Sequence, residues 1–538
     1  MKNWRINLIL FFLFLSSSLI IGRLVYLQII QKNYWQALAQ GQQKFFTQIQ
    51  NKRGEVFLQS SLSSLTVPLA INRNFSLVYI SPKEIEKSKE TAEILSKILN
   101  LNENLILEKI NKKESFYELI KNKLTEEEVN NLKKLNLPGV YLAQETLRYY
   151  PQESLASQVI GFLNSDGKGQ YGIEEYYDQT LRDSNLILTI DYNIQFFAEK
   201  LLQEAKEILN IEGGQIIVID PHSGKILALV NFPNFNPNQY SEVENLEIFQ
   251  NSVIQKIFEP GSIFKPLTMA ASLEEGKITP QTTYIDEGKV KIGGYTIRNY
   301  DYKIWGEQTM TQVLENSINT GAVFVEKQLG HQLFLKYIEK FGLFEKTEID
   351  LSGEIFSQNK EFKKGYEINF ATASFGQGIE MTPLQIVRAF SAIANGGKLI
   401  KPYLVEKIII NGKEINVSPK ISDHFIISQQ TASQLTTMLV SAVENGYGKR
   451  AKIPGYYIAG KTGTSQIPFS SLGIDKAGYS DKTWQSFIGF APAYNPHFLI
   501  LIKLDNPQTK VAGLSTTIIA RDLIKYILDY YQVPPDYE

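Results

Sequence analysis

Apolar residues run almost unbroken over positions 6–22 and resume after Arg23 as Leu24-Val25-Tyr26-Leu27-Gln28-Ile29-Ile30. A bilayer core takes about 20 residues of helix, and this stretch reaches that length if Arg23 snorkels at its outer end. The pattern predicts a membrane anchor over residues 6–28. Lys2 and Arg5, in a short tail of residues 1–5, favour a cytoplasmic N-terminus against the weaker opposing charge of Lys32. A cleaved signal peptide, with Ser16-Ser17-Ser18 near its end, is the competing reading, but the helical pattern runs on past that point without a break. Residues 34–51 stay helical in period and turn polar, as in a stalk, until Arg53-Gly54 marks a turn. Residues 56–80 mix β-branched residues with Ser and Asn and predict extended segments. Residues 92–99 and 126–132 show the spacing of amphipathic surface helices, whose charges read as solvated faces. Leu137-Pro138-Gly139 closes that helical block.

A boundary falls near Asp183-Ser184. Beyond it Leu188-Thr189-Ile190-Asp191, followed by Ile194, Phe197, Ala198 and Leu201, predicts a strand running into a helix. Apolar runs over residues 214–220 and 225–230 flank Pro221-His222-Ser223-Gly224 and predict a β-hairpin. Two further apolar strands are expected at 485–490 and 498–504, and Tyr456-Tyr457-Ile458-Ala459-Gly460 reads as another strand. Strands at both ends of a long helical middle must meet in one sheet with helices packed on it, so the fold class is a multidomain α/β protein. At 538 residues the chain suits two or three domains. Hydrophobic content of 43% and charged content of 21% are those of globular protein. A formal net charge of −1 gives no support to nucleic-acid binding. Without cysteine there is no disulfide or thiolate metal site, and four histidines argue against a histidine-rich metal centre.

Three motifs carry the candidate chemistry: Ser262-Ile263-Phe264-Lys265, Ser317-Ile318-Asn319 and Lys461-Thr462-Gly463-Thr464. Pro260-Gly261 ahead of an apolar run reads as a helix entry, placing Ser262 and Lys265 three apart on one helix face. A serine hydroxyl attacks well only when a neighbouring base takes its proton. Lys265 can be that base if burial and a second cation, Lys461, keep it neutral. Ser317 and Asn319, two apart in a loop between helices, can point a proton-relaying hydroxyl and an amide into one cleft. Lys461 adds positive charge, Thr462 a hydroxyl, Gly463 room for close approach, and Thr464 a backbone N–H for an oxyanion. Taken singly the motifs are weak. Ser357-Gln358-Asn359-Lys360 repeats the first spacing and imitates the second in a polar stretch, and Lys291-Ile292-Gly293 and Lys363-Lys364-Gly365 imitate the third. The copies in the Ser357 stretch are read as chance matches in a loop, and the looser Lys-x-Gly matches show that three letters are weak evidence. A helix cap, for Ser317 and Asn319, and an exposed turn, for Lys461, are the plain structural alternatives.

The three motifs in this order are those of penicillin-binding proteins and related β-lactamases. With their flanks, Glu259-Pro260-Gly261-Ser262-Ile263-Phe264-Lys265-Pro266 and Asn316-Ser317-Ile318-Asn319-Thr320-Gly321, the chain resembles a class B penicillin-binding protein, a monofunctional peptidoglycan D,D-transpeptidase. Leu188-Thr189-Ile190-Asp191 with Ile194-Gln195, Pro233-Asn234-Phe235-Asn236-Pro237, and Ser374-Phe375-Gly376-Gln377-Gly378 with Thr382-Pro383-Leu384-Gln385 are similar to other blocks of its catalytic domain. Arg53-Gly54, Arg148-Tyr149-Tyr150-Pro151 and Gly172-Ile173-Glu174 resemble its non-catalytic pedestal, where Arg53, Arg148 and Glu174 would tie segments together. The family's acidic and basic pair after Arg53-Gly54 is replaced here by Val56-Phe57-Leu58-Gln59-Ser60-Ser61.

The resemblance implies an anchor over 6–28, an elongated α+β dimerisation-like pedestal over 29–184, and a transpeptidase domain over 185–538 with a five-stranded sheet between helical layers. It implies Ser262, Lys265, Ser317, Asn319 and Lys461 as catalytic residues and Thr462, Gly463 and Thr464 as substrate-binding ones, with no cofactor or metal. It further implies peptidoglycan stem peptides as substrate, β-lactam antibiotics as acylating mimics, and a membrane glycan polymerase of the shape, elongation, division and sporulation family as partner. The protein would be a single-pass protein of the cell membrane with its catalytic domain outside. The compact stretch from Gln158 to Glu174 is closer to the division-type version than to the elongation type. A β-lactam hydrolase and a non-catalytic β-lactam sensor are the readings from other classes.

Overall fold

The computed structural model describes residues 3–32, 35, 39, 53–61, 65–419 and 424–538; the polar stalk expected over 34–51 lies almost wholly outside them. The chain forms two compact units, one of residues 1–53 with 71–149, the other of residues 54–70 with 150–538. Residues 54–70 and 150–183 therefore pack with the larger unit, whereas the sequence reading drew the boundary after the anchor's own near residue 184. The reason is strand pairing, given below.

In the first unit, helix α1 (Asn3–Val25) buries none of its residues. It leads into a π-helical turn, and the span Asn3–Ile29, 27 residues, is long and apolar enough to cross a membrane. Phe11, Phe12, Phe14 and Leu19 stand exposed on it. A helix satisfies its own backbone, so such a surface is stable where lipid covers it. Strand β1 (Val56–Gln59), which belongs to the second unit, precedes β2 (Val67–Ile80), which runs from the second unit into the first at Ile71. The part of β2 beyond Ala70 pairs in antiparallel fashion with β3 (Glu118–Lys121) and β4 (Val140–Tyr149). Helices of residues 88–99, 103–110 and 126–135 bury Ala92, Leu95, Leu99, Ile106, Ile110 and Leu132 against Val78 and Ile80. Both amphipathic helices read from the sequence lie among these three.

In the second unit, β1 pairs in parallel with β5 (Ser184–Asp191), and the first residues of β2 pair with β1. This is why residues 54–70 join the larger unit. β5 ends at Asp191, whose carboxylate accepts from Asn193 N and Ile194 N and caps helix α2 (Tyr192–Leu209). The expected hairpin is β6 (Gly213–Ile219) and β7 (Ile226–Phe232). At the far end of the chain lie β8 (Ala459–Pro468), β9 (Tyr479–Ala491), β10 (Phe498–Asp505) and helix α3 (Thr516–Tyr530). The five strands form one antiparallel sheet in the order β8-β9-β10-β6-β7. Ile216, Val218, Ile500 and Ile502 face α2 and α3, while Ile217, Ile219, Leu499 and Leu501 face the helical middle with Leu267, Ile386 and Leu435. Burial on both faces explains why these strands read as continuous apolar runs rather than alternating ones.

Candidate active site

The first motif opens a helix. Gly261–Phe264 is a turn of 3-10 helix that feeds the α-helix Lys265–Glu274, so Ser262 and Lys265 bracket a change of helical type instead of sharing a regular α-helix. Positions three apart eclipse in 3-10 geometry, which keeps both on the cleft side. The turn is tightly cradled. Gly261 has φ +60° and donates its N–H to Gly376 O at 2.9 Å. Gly376 has φ +79°, and a Cβ there would lie 2.2 Å from Gly261 O, so no side chain fits. Thr268 Oγ1 donates to Ser374 O at 2.8 Å. These contacts give the Ser374-to-Gly378 block its place: it is the bed of the nucleophile turn. Ser262 is partly exposed and lines a cleft of about 1130 Å³ with Ser317, Asn319, Thr462, Thr464 and Gln377.

The second motif comes to it from another helix. Ser317 holds φ +52°, an uncommon conformation for a non-glycine residue, and Asn319 begins the helix Asn319–Leu329. Lys265 Nζ lies 2.5 Å from Ser317 O, 3.2 Å from Ser317 Oγ and 2.8 Å from Asn319 Oδ1. Lys461 Nζ lies 3.0 Å from the same Ser317 Oγ and 3.0 Å from Thr462 O. Two lysine side chains thus converge on one hydroxyl.

The third motif sits inside a strand. Tyr456-Tyr457-Ile458 does not form the expected approach strand; Tyr456 makes an isolated bridge to Ile453. β8 begins at Ala459 and itself carries Lys461-Thr462-Gly463-Thr464 at the edge of the five-stranded sheet. A Cβ on Gly463 would meet Ser486 Oγ at 2.5 Å and Ile263 Cγ2 at 2.9 Å, so this glycine lets the strand lie against the nucleophile turn. Ser465 Oγ donates to Glu259 O at 2.8 Å and fastens the same two segments.

Lys265 and Lys461 are almost fully buried, 0% and 2% exposed. Burial drives the Lys265 pKa well below the lysine range, and the Lys461 charge pushes it further the same way. Burial alone brings Lys461 down to about 7. Glu259, three residues before Ser262, is raised to about 7 by burial, against the lowering effect of the Tyr479 hydroxyl and the Gly378 N–H.

All eight residues singled out in the sequence fall in or beside this cleft. The imitations do not: Ser357 Oγ donates to Glu380 Oε2 at 2.9 Å and Asn359 Nδ2 to Glu380 O at 2.8 Å, a local loop tie. Sequence reasoning gave no part to Glu259, Tyr479 or Asn299. Glu259 was visible only as a flank. Tyr479 and Asn299 carry no local signal, since their partners are distant in the chain.

The sequence profile described as the Penicillin binding protein transpeptidase domain matches residues 214–525, and that of the Penicillin-binding Protein dimerisation domain matches residues 48–216. Stage V sporulation protein D of Bacillus subtilis is 30% identical, covering 94% of this chain and 82% of that one. Peptidoglycan D,D-transpeptidase FtsI of Escherichia coli is 27% identical, covering 94% and 88%. The crystal structure of penicillin binding protein 3 from Mycobacterium tuberculosis complexed with ampicillin superposes with a TM-score of 0.68 at 29% identity, covering 73% and 92%. With the cleft, the sheet and both profiles in agreement, the chain belongs to the class B penicillin-binding proteins and is a serine-type, penicillin-binding transpeptidase.

Proposed function

We propose that Ser262 is the nucleophile of peptidoglycan crosslinking. Its Oγ attacks the penultimate D-Ala carbonyl of a stem peptide ending in D-Ala-D-Ala, and its proton passes to Lys265. The backbone N–H groups of Ser262 and Thr464 stabilise the oxyanion. Ser317, with Lys461, delivers a proton to the departing D-alanine. Lys461 and Thr462 hold the terminal carboxylate, Asn319 orients the peptide amide, and Gly463 allows the substrate to lie along the open edge of β8 as an added strand. An amine from a neighbouring stem then takes the acyl group and frees Ser262. The single observation that carries this reading is the convergence of Lys265 Nζ and Lys461 Nζ on Ser317 Oγ, at 3.2 and 3.0 Å. The depressed Lys265 pKa supplies the neutral amine that a general base requires.

In this reading residues 6–28 anchor the protein, 29–184 act as pedestal and 185–538 carry the chemistry, outside the cytoplasm. The kinship with FtsI favours septal synthesis, with a membrane glycan polymerase as partner. Mass spectrometry after incubation with labelled penicillin tests the nucleophile: adduct is expected on Ser262 and lost in Ser262→Ala. Adduct at the wild-type level in that variant would defeat the assignment. Depletion in cells separates septal from elongation roles, by filaments or rounding.

A further inference from the structure

Between the first and second motifs the chain leaves the helical middle as an arm of two small β-ladders. Residues 283–286 pair with 306–309 and residues 289–292 with 295–298. Three polar residues are buried where the arm returns to the cleft: Asp286 at 1%, Asn299 at 6% and Thr320 at 6% exposure. Asn299 Oδ1 accepts from Asn319 N at 3.1 Å and from Thr320 N at 3.2 Å. Those are the first free N–H groups of the helix that Asn319 opens, so Asn299 acts as its cap from another segment of chain. The other end of the same amide donates to Asp286 Oδ1 and Oδ2, at 3.0 and 2.8 Å, and to Lys303 O at 3.1 Å. Asp286 also accepts from Gly288 N, Trp305 N and Thr320 Oγ1, at 3.1, 2.9 and 2.5 Å. Among the described residues no cation pairs with this carboxylate; five hydrogen bonds hold it. Asn319 Nδ2 in turn donates to Arg298 O at 3.1 Å, which leaves its Oδ1 turned to Lys265 Nζ.

From this geometry we infer that Asp286 and Asn299 are positioning residues of the catalytic centre, which set the backbone and amide of Asn319 and, through them, the place of the Lys265 amine. The inference deepens the transpeptidase reading and rests on it. A buried polar network of this kind holds one geometry only while every member is satisfied. The donor–acceptor pattern is directional: Asn299 must accept from the helix and donate to the arm, and Asp286 can only accept.

The test uses that direction. Asn299→Leu keeps the volume, removes both the acceptor toward the helix and the donor toward Asp286, and adds no charge near Lys265. Asp286→Asn keeps the shape and turns one acceptor of the network into a donor. Acylation of Ser262 by labelled penicillin is followed across pH, with active sites counted by the final adduct and unfolding temperature recorded. Asn299→Leu is expected to lose about 10- to 100-fold of the acylation rate per active site, the scale of an ångström of misplacement. Its acid limb is expected at lower pH, because Lys265 loses an acceptor that favours its protonated form while Lys461, the other cation beside Ser317, is unchanged. Asp286→Asn is expected to show a smaller loss with the limb moved in the same direction. The inference is overturned if a folded Asn299→Leu or Asp286→Asn protein matches wild type, or if the loss follows only the number of active sites with the limb unmoved. Failure of wild type to be acylated at Ser262 is a different result; it defeats the transpeptidase reading, and this inference with it.

Discussion

Ser317 Oγ has two lysine amines within 3.2 Å, and the protein keeps those amines by burying them. Holding Lys461 at a pKa of about 7, against 10.5 for a free lysine, is a cost to the fold. Between those values the unfolded chain binds more protons than the folded one, so this residue makes stability rise with pH from about 7 to 10.5. Below about 7 it is protonated in both states and adds no slope. In urea unfolding measured over that range, Lys461→Met is expected to remove part of the rise. Glu259 has the opposite sign. Its folded pKa is about 7 against 4.5, so the folded state binds the extra proton and stability falls as pH climbs between them. Glu259→Gln, which stays neutral, is expected to lose that fall and to gain on wild type above pH 7; equal slopes for the two proteins would refute it. The residues proposed for catalysis were legible because their types are few and their spacing local: Ser262 and Lys265 are one helical turn apart, Ser317 and Asn319 two residues apart. Asp286 and Asn299 were not. Their contacts join residues 13 and 34 apart in sequence, through side chains common in any loop.

Among elements, β8 shows what sequence pattern conveys and what it omits. The strands of the sheet centre announced themselves as apolar runs, since both faces are covered. β8 is an edge strand built of Lys, Thr, Gly and Ser, so no run marks it, and the aromatic approach Tyr456-Tyr457-Ile458 drew the strand assignment several residues too early. What defines β8 is fit: Gly463 against Ile263 and Ser486, and Ser465 against Glu259. Gly463→Ala would place a methyl 2.5 Å from Ser486 Oγ and 2.9 Å from Ile263 Cγ2, and must push strand and turn apart. Penicillin acylation of that variant is expected to slow by about 10- to 100-fold, the effect of an ångström of misplacement, with the protein still folded by circular dichroism. An unchanged rate would mean that this contact is not what sets Ser262 against the strand.

At the scale of the whole molecule, the two units answer to different constraints. The sequence boundary near residue 184 marks where strand-and-helix chemistry of the catalytic sheet begins, yet residues 54–70 join the larger unit through parallel pairing of Val56 with Leu186. Pairing over such separations leaves no periodic trace in either segment. The anchor was legible because lipid demands a long apolar run. Removing residues 1–52 is expected to move the protein from the membrane to the soluble fraction while the rest still takes up labelled penicillin; persistence in washed membranes would point to a second attachment. The lipid-facing surface of α1 has a kinetic corollary. A protein held this way searches a plane, not a volume, so its turnover is governed by how many copies share each patch of bilayer and how far each can reach. Dilution of the surrounding medium leaves that density untouched, whereas expansion of the membrane without new synthesis lowers it.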